Sequence, residues 1–437
     1  MDRILDTPLN GHTTTLIPRG VADYFWDTAA KRRTLEDTLL SVYKSWGYGY
    51  IIPPTLEYAD TFETGSSAMQ NTSNMVRFLD HDGQSLALRY DMTVAIARLV
   101  GTRLHDAPMP QRYCYVGNIF RNREYQPGRL REFGQAGVEL VGANTTAADA
   151  EVLALTARSL QVAGLHDFRL ALGQLRFIRG ILEELALTPT QESALTQAIE
   201  RRSEPELHRF LKEANLSKTH QETIQRLLFL NGPDSLETLN TAQAICLNQT
   251  MEDAVDNLRA IHVALTAYDF SQYIHLDLTE VSDMGYYTGI RFMAYVPGLG
   301  SGIAGGGRYD NLIGVFGPSQ PAVGVALGLE RILLALQSTN GAAQPSLENH
   351  VMVSSELDGS WVHIVGKWRS AGIRAVVDVN GRRGSELWLA AQAKGIPCAL
   401  TWTNGGFDLY DNQSSPDKPS KHIGIEESTA YLISKLG

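Results

Sequence analysis

From Asp27 to Trp46 the apolar positions Leu35, Leu39, Leu40, Val42, Tyr43 and Trp46 recur at helical spacing, so one face of a helix is buried there. Gly47 in "GYGYIIPPTLE" predicts the helix stop, and the run after it reads as a strand ending at Pro53–Pro54. "VRFLDHDGQSLALR" reads as a hairpin around Asp82–Gly83. "RYCYVGNIFR" and "REFGQAGVELVG" are two further strands, joined by the charged loop "NREYQPGRL". Thr146–Ala163 reads as a helix and "DFRLALG" as a strand.

Between Leu175 and Tyr268 the texture is helical throughout, with prolines only at Pro189, Pro205 and Pro233. Strand character returns at Tyr273 and is expected to run through "GIRFMAYVPG". "GSGIAGGGRYDNLIG" reads as a glycine-rich turn, and "PAVGVALGLERILLAL" as a strand passing into an amphipathic helix. Strands on both sides of a helical block, joined mostly by hairpins, predict an α+β domain over residues 1–337: an antiparallel sheet with a helical insertion at about 175–268. Residues 338–349 have linker composition. In residues 350–437 the apolar strands "HVMV", "IRAVVDV" and "IPCALTW" alternate with helices near Trp361–Ala371 and Ser385–Lys394, which predicts a small α/β unit with a parallel sheet.

Composition adds three constraints. A chain of 437 residues exceeds one compact core, so two or three domains are expected. Its net charge of −10 counts against general nucleic-acid binding, although a local basic patch is compatible with it. Cys114, Cys246 and Cys398 lie far apart with no CxxC pattern, which fits a reducing cytosol. No apolar run reaches the roughly 18 residues of a membrane span, and the N-terminus lacks the apolar centre of a signal peptide. A cytoplasmic location is expected.

Several stretches can carry chemistry. The loop Phe120–Arg131 holds Arg121, Arg123, Arg129 and Arg131, either an anion-gripping fork or a solvated hairpin. Period-two geometry sets Gln135, Gly137 and Glu139 on one face of the next strand. Among apolar neighbours the Glu139 carboxylate needs a donor, from a ligand cation, an imidazole N–H or a protein arginine. Asp91 and Thr93 stand where a strand meets a helix, suited to complement the helix dipole or to bind an ammonium group. "GIAGGGRYDNLIG" lets backbone approach a ligand closely, and Gly324, Gly328 and Arg331 follow it. In "EVSDMGYYTG" Tyr286 and Tyr287 follow the alternating run "YIHLDLTEV", so they are expected where a strand opens onto a pocket rim. Their surroundings are acidic, Asp277, Glu280 and Asp283, with no cation before Arg291. There is no Walker A pattern, no GxGxxG following a parallel strand, no HExxH and no GxSxG.

In order along the chain these segments resemble the class II aminoacyl-tRNA synthetase core, in its histidyl branch. "WGYGYIIPPTLE" resembles motif 1, whose helix and strand form a dimer interface. "YVGNIFRNREYQPGRLREFGQAGVELVG" resembles motif 2. "GGGRYDNLIGVFG" through "PAVGVALGLERIL" resembles the histidine-specific glycine loop and motif 3. The resemblance runs from about Ile17 to Leu336 and implies a pocket for free histidine. Glu139 and Tyr309 would hold the imidazole, Asp91 and Thr93 the α-ammonium group, and Arg121 and Gln135 the carboxylate. Tyr286 and Tyr287 would wall the site. Arg121 and Arg331, the two general class II arginines, leave room for a residual nucleotide site.

Two departures bear on activity. Where histidyl-tRNA synthetases read Arg-Gly-Leu-Asp-Tyr-Tyr, with an arginine that stabilises charge on the α-phosphate, this chain has Ser282, Asp283, Met284, Gly285, Tyr286 and Tyr287. Losing one preorganised charge contact costs roughly 100- to 1,000-fold in rate. In motif 2 the synthetase order Glu-Arg is inverted to Arg123-Glu124. Residues 350–437 weakly resemble the family's anticodon-binding domain but carry nine Lys or Arg against nine Asp or Glu, without the basic excess that tRNA phosphates favour. This pattern resembles the paralogous family of ATP phosphoribosyltransferase regulatory subunits. The resemblance implies a non-catalytic chain without cofactor or metal, which assembles with a short catalytic subunit, raises its activity and confers inhibition by histidine. A homodimeric core within a hetero-oligomer is expected, and tRNA binding is not. The alternative is an active histidine–tRNA ligase.

Overall fold

The computed structural model describes residues 17–66, 74–122, 130–232, 235–280, 286–340, 350–355, 359–403, 405–415 and 418–436. Two compact units emerge, one containing Lys31–Gly341 and the other containing Ala342–Gly437 with Tyr24–Ala30. Helix α1 (Trp26–Ser45) buries Leu35, Leu39, Val42 and Tyr43 along one side. It ends where Gly47 turns the backbone to φ +85°, a region costly for any residue with a Cβ.

Strand β1 (Gly49–Tyr50) follows, shorter than its apolar run suggests. A three-stranded sheet comes next, built from β2 (Leu56–Tyr58), β3 (Arg77–Leu79) and β4 (Ser85–Leu88), with α2 (Ala59–Ser66) between the first two. The β3–β4 pair is the expected hairpin. Helix α3 (Met92–Leu99) leads to the long antiparallel pair β5 (Gln111–Phe120) and β6 (Glu132–Val141). Helix α4 (Thr146–Val162) and β7 (Arg169–Gln174) precede the helical block: α5 (Leu175–Leu185), α6 (Pro189–Glu200), α7 (Glu204–Glu213), α8 (Lys218–Leu227), α9 (Ser235–Gln243) and α10 (Gln249–Ala267). A two-residue strand, β8 (Asn231–Gly232), interrupts that block. Then come β9 (Ile274–Asp277), β10 (Ile290–Tyr295), β11 (Ala304–Arg308), β12 (Ala322–Gly328) and α11 (Leu329–Asn340).

These strands form a nine-stranded sheet in the order β1-β5-β6-β12-β11-β10-β7-β9-β8. The six strands from β5 to β7 are antiparallel to their neighbours, while β1 joins β5 and β9 joins β7 in parallel. The sheet is therefore antiparallel at its centre and mixed at its margins. Helix α4 packs on one face, where Ala136, Val138 and Leu140 of β6 share a core with Val152, Leu153 and Leu160.

Two expectations are corrected. The strand beginning near Tyr273 does not run on: Asp277 Oδ1 accepts from Thr279 N (3.1 Å) and Thr279 Oγ1 (2.6 Å), and this turn ends β9. Tyr286 and Tyr287 consequently precede β10 rather than close a strand. The glycine-rich stretch is no turn either, because Gly305, Gly306 and Gly307 lie inside β11, between β10 and β12. A Cβ on Gly306 would collide with the Gly324 carbonyl, and one on Gly307 with the Ile290 carbonyl. The glycines serve close strand packing.

The smaller unit has β13 (Val351–Ser354), α12 (Ser360–Ser370), β14 (Ala375–Asp378), α13 (Gly384–Ala393), β15 (Ala399–Thr403), β16 (Gly406–Tyr410), β17 (Lys421–Gly424) and α14 (Ile425–Leu436). Its sheet runs β14-β13-β15-β16-β17, parallel among the first three strands as expected and antiparallel beyond. Among the described residues no helix is long and apolar enough to cross a membrane.

Candidate functional site

Glu139 sits in the middle of β6, in register with Tyr113 on β5 and Gly324 on β12. Its neighbours Val138 and Leu140 point into the α4 core, so alternation turns Glu139 to the opposite face. There it is 1% exposed. Gly324 is glycine for a local reason: a Cβ at that position would run into Glu139 Oε2. Gly137, one step along the same face, leaves room for the Tyr115 phenol.

Both carboxyl oxygens of Glu139 are engaged by hydroxyls. Thr93 Oγ1 donates to Oε1 at 2.8 Å, and the Tyr309 hydroxyl donates to Oε2. Burial drives the Glu139 pKa up to about 8, with the Tyr309 and Thr93 hydrogen bonds pulling it down and the Asp91 charge pushing it up. Burial likewise raises Tyr309, Tyr286 and Tyr115 well above the ordinary phenol value, so these hydroxyls stay protonated and can donate.

The aromatic wall is continuous. Tyr286 stacks on Tyr309 with ring centroids 5.5 Å apart, and Tyr287 meets Tyr286 edge-on at 4.7 Å. Asp91 is the N-cap of α3, its Oδ1 accepting from Thr93 N (2.7 Å) and Val94 N (3.2 Å). The cap thus orients the residue whose hydroxyl reaches Glu139. Arg121 adjoins through the next peptide: its Nε donates to Tyr90 O at 3.3 Å, and its guanidinium lies 5.3 Å from the Phe133 ring centre. Half-buried Gln135 shares the Glu139 face of β6, opposite Gly117 and Gly328.

Thr93, Glu139, Tyr286, Tyr287 and Tyr309 are therefore in direct contact, with Asp91, Arg121 and Gln135 around them. Arg331 stands on the first turn of α11, where its guanidinium donates to the Gly302 carbonyl. The loop arginines Arg123 and Arg129, with Glu124, and the pair Ser282–Asp283 lie outside the described residues.

Sequence reasoning missed two contributors. Tyr115 is a core residue by pattern, yet its phenol lies on the Glu139 face. Arg179 of α5 donates from Nη2 to the Tyr287 carbonyl at 2.7 Å. The Arg291 guanidinium lies 5.4 Å from the Tyr287 ring centre. The expectation of tyrosines without a neighbouring cation is thus corrected, because one cation arrives from a helix 108 residues away.

A separate polar cleft of about 510 Å³ involves Asp149, Gln174, Asn257, Thr288 and Arg308. Arg308 precedes Tyr309 and points to the other face of the sheet, where its guanidinium pairs with Asp149 on α4 at 2.7 Å. Gln174 donates to Asn257 (2.7 Å), which donates to Thr146 (3.1 Å). This network joins the helical block to the sheet behind the tyrosine cluster.

The model of the histidyl-tRNA synthetase family matches residues 20–332. The ATP phosphoribosyltransferase regulatory subunit of Moorella thermoacetica is 40% identical over 381 residues, covering 87% of this chain and 96% of that protein. A crystal structure from Bacillus halodurans, described as an ATP phosphoribosyltransferase regulatory subunit/histidyl-tRNA synthetase, superposes with a TM-score of 0.79 at 28% identity over 89% of this chain and 98% of that one. Histidyl-tRNA synthetase from Nostoc sp. PCC 7120 superposes with a TM-score of 0.78 at 20% identity, over 96% of this chain and 99% of that one, which shows the shared fold alone. On a class II synthetase fold of the histidyl type, the chain belongs to the family of ATP phosphoribosyltransferase regulatory subunits.

Proposed function

We propose that the chain binds free L-histidine in the Glu139 cluster and transmits its occupancy to a short-form ATP phosphoribosyltransferase catalytic subunit, activating it when empty and inhibiting it when filled. Asp91, Thr93, Arg121, Gln135, Glu139, Tyr286, Tyr287 and Tyr309 contact the ligand in this reading, and the chain performs no catalysis of its own. The observation that carries it is the fully buried Glu139 carboxyl, held between the Thr93 and Tyr309 hydroxyls and walled by tyrosine rings. A carboxyl so placed favours a ligand that brings its own N–H donor, as imidazole does. Differential histidine affinity between two states of the assembly is what feedback requires.

The assembly has a homodimeric core in the cytoplasm. Support comes from β1 at the open edge of the large sheet, from exposed Tyr50 within it and from exposed Ile52 just after it. The three free cysteines suit a reducing compartment.

An active ligase is the competing reading, favoured by the shared fold with a synthetase and opposed by Ser282 in the place of the synthetase arginine. Two measurements on the purified chain separate them. Calorimetry should find histidine binding, weakened by about tenfold to a hundredfold in Glu139→Ala, while histidine-dependent ATP–pyrophosphate exchange should be absent. Exchange activity would restore the ligase, and undiminished binding by Glu139→Ala would remove the site from Glu139.

A further inference from the structure

Three consecutive carbonyls, from Tyr287 to the residue before β10, accept hydrogen bonds from the first two turns of α5. Gly289 O accepts from Leu175 N at 3.0 Å, Thr288 O from Arg179 Nη1 at 3.4 Å, and Tyr287 O from Arg179 Nη2 at 2.7 Å. The same peptide is fastened on its other side to the flanks of Tyr309. Thr288 N donates to Arg308 O at 2.7 Å, and Thr288 Oγ1 accepts from Asp310 N at 3.0 Å. Thr288 is thus a junction between the Tyr286–Tyr287 wall and the Tyr309 hydroxyl that reaches Glu139.

Helix α5 is a rigid support for this grip. Phe177, Ile178 and Ile181 are buried in the core. Gly180, next to Arg179, lets α10 come close: a Cβ there would lie 2.7 Å from Met251 Cγ, and Asn248 Nδ2 donates to Gly180 O at 2.7 Å. Arg179 itself is half-buried, so its charge-assisted bonds are less exchanged with water than surface ones.

We propose that Arg179 is a positioning residue for the histidine site, holding the Tyr287 and Thr288 carbonyls so that the tyrosine wall is preorganised for the ligand. This rests on the reading of the Glu139 cluster as a histidine pocket. Arg179 touches no ligand in this account, and it acts through Tyr287. It also makes α5, the first helix of the insertion, sensitive to whether the wall is ordered, because the bond that fixes Tyr287 is anchored there.

Calorimetry of L-histidine against the full-length chain tests this with three variants. Arg179→Met should weaken histidine by about tenfold or more, the scale of one lost charge-assisted hydrogen bond. Arg179→Lys keeps a cationic donor and should fall between Met and wild type. Arg176→Met removes an exposed arginine from the same helix and should bind as wild type. Thermal midpoints without histidine distinguish local positioning from general damage, and Arg179→Lys should melt with the wild type. Wild-type affinity in Arg179→Met, or in Arg179→Lys if the Met variant does not fold, overturns the proposal. So does an equal loss in Arg176→Met. A wild-type chain that binds no histidine overturns the pocket reading itself, a distinct result.

Discussion

Thr93 donates its hydroxyl to Glu139 across 2.8 Å, joining the first turn of α3 to the middle of β6. The bond closes one side of a carboxyl that Tyr309 closes on the other. An acidic group this deep is tolerated because both oxygens are satisfied, and its pKa has risen because the charge is not.

Removing that acceptor should be felt first in affinity. Glu139→Ala should weaken histidine by about tenfold to a hundredfold, the range for a hydrogen bond to a charged or strongly polar partner. Tyr309→Phe keeps the ring that stacks on Tyr286 and loses only the hydroxyl, so it should show a smaller loss in the same titration.

Glu139 should also shape stability against pH. Its pKa rises from the ordinary 4.5 to about 8 in the folded chain. Between those values the folded state holds a proton that the unfolded state has released, so stability falls as pH rises, by up to about 1.4 kcal/mol per pH unit. Glu139→Gln should flatten that fall. Denaturant titrations of both proteins from acid to mildly alkaline pH would show it as a gap that narrows toward low pH.

Asp91 can act as a helix cap, as a ligand for an ammonium group, or as both, and two substitutions separate these roles. Asp91→Ala removes the acceptor for Thr93 N and Val94 N and should cost about 1 kcal/mol of stability. Asp91→Asn retains a capping oxygen without the charge. It should melt close to wild type yet bind histidine several-fold more weakly, and unchanged affinity would confine Asp91 to capping.

The open edge of the large sheet gives a prediction on assembly. Ile52 is 75% exposed just after β1, in the segment resembling a dimer-forming motif. Ile52→Arg should shift the chain toward monomer in light scattering without lowering its helical content. An unchanged oligomeric mass would move the dimer contact elsewhere.

Much of this was readable from local pattern. The spacing of Leu35, Leu39 and Tyr43 located α1, and the alternation around Val138 and Leu140 located β6 and turned Glu139 off the core face. What escaped is what pattern does not encode. Gly305–Gly307 read as a turn because glycine carries no side chain to alternate, whereas its cause is the crowding of β10, β11 and β12. The end of β9 depended on a side-chain turn at Asp277 within a run that still alternates. Arg179 was invisible for another reason: its partner is a backbone carbonyl, and a carbonyl has no sequence signature.

The most direct test of the central claim is phosphoribosyl-ATP formation by a short-form catalytic subunit, with and without this chain, across a histidine titration. The chain should raise activity, histidine should reverse the rise, and Glu139→Ala should keep the rise while moving the reversal to about tenfold to a hundredfold more histidine. A competent catalytic subunit whose rate this chain leaves unchanged at every histidine concentration would contradict it.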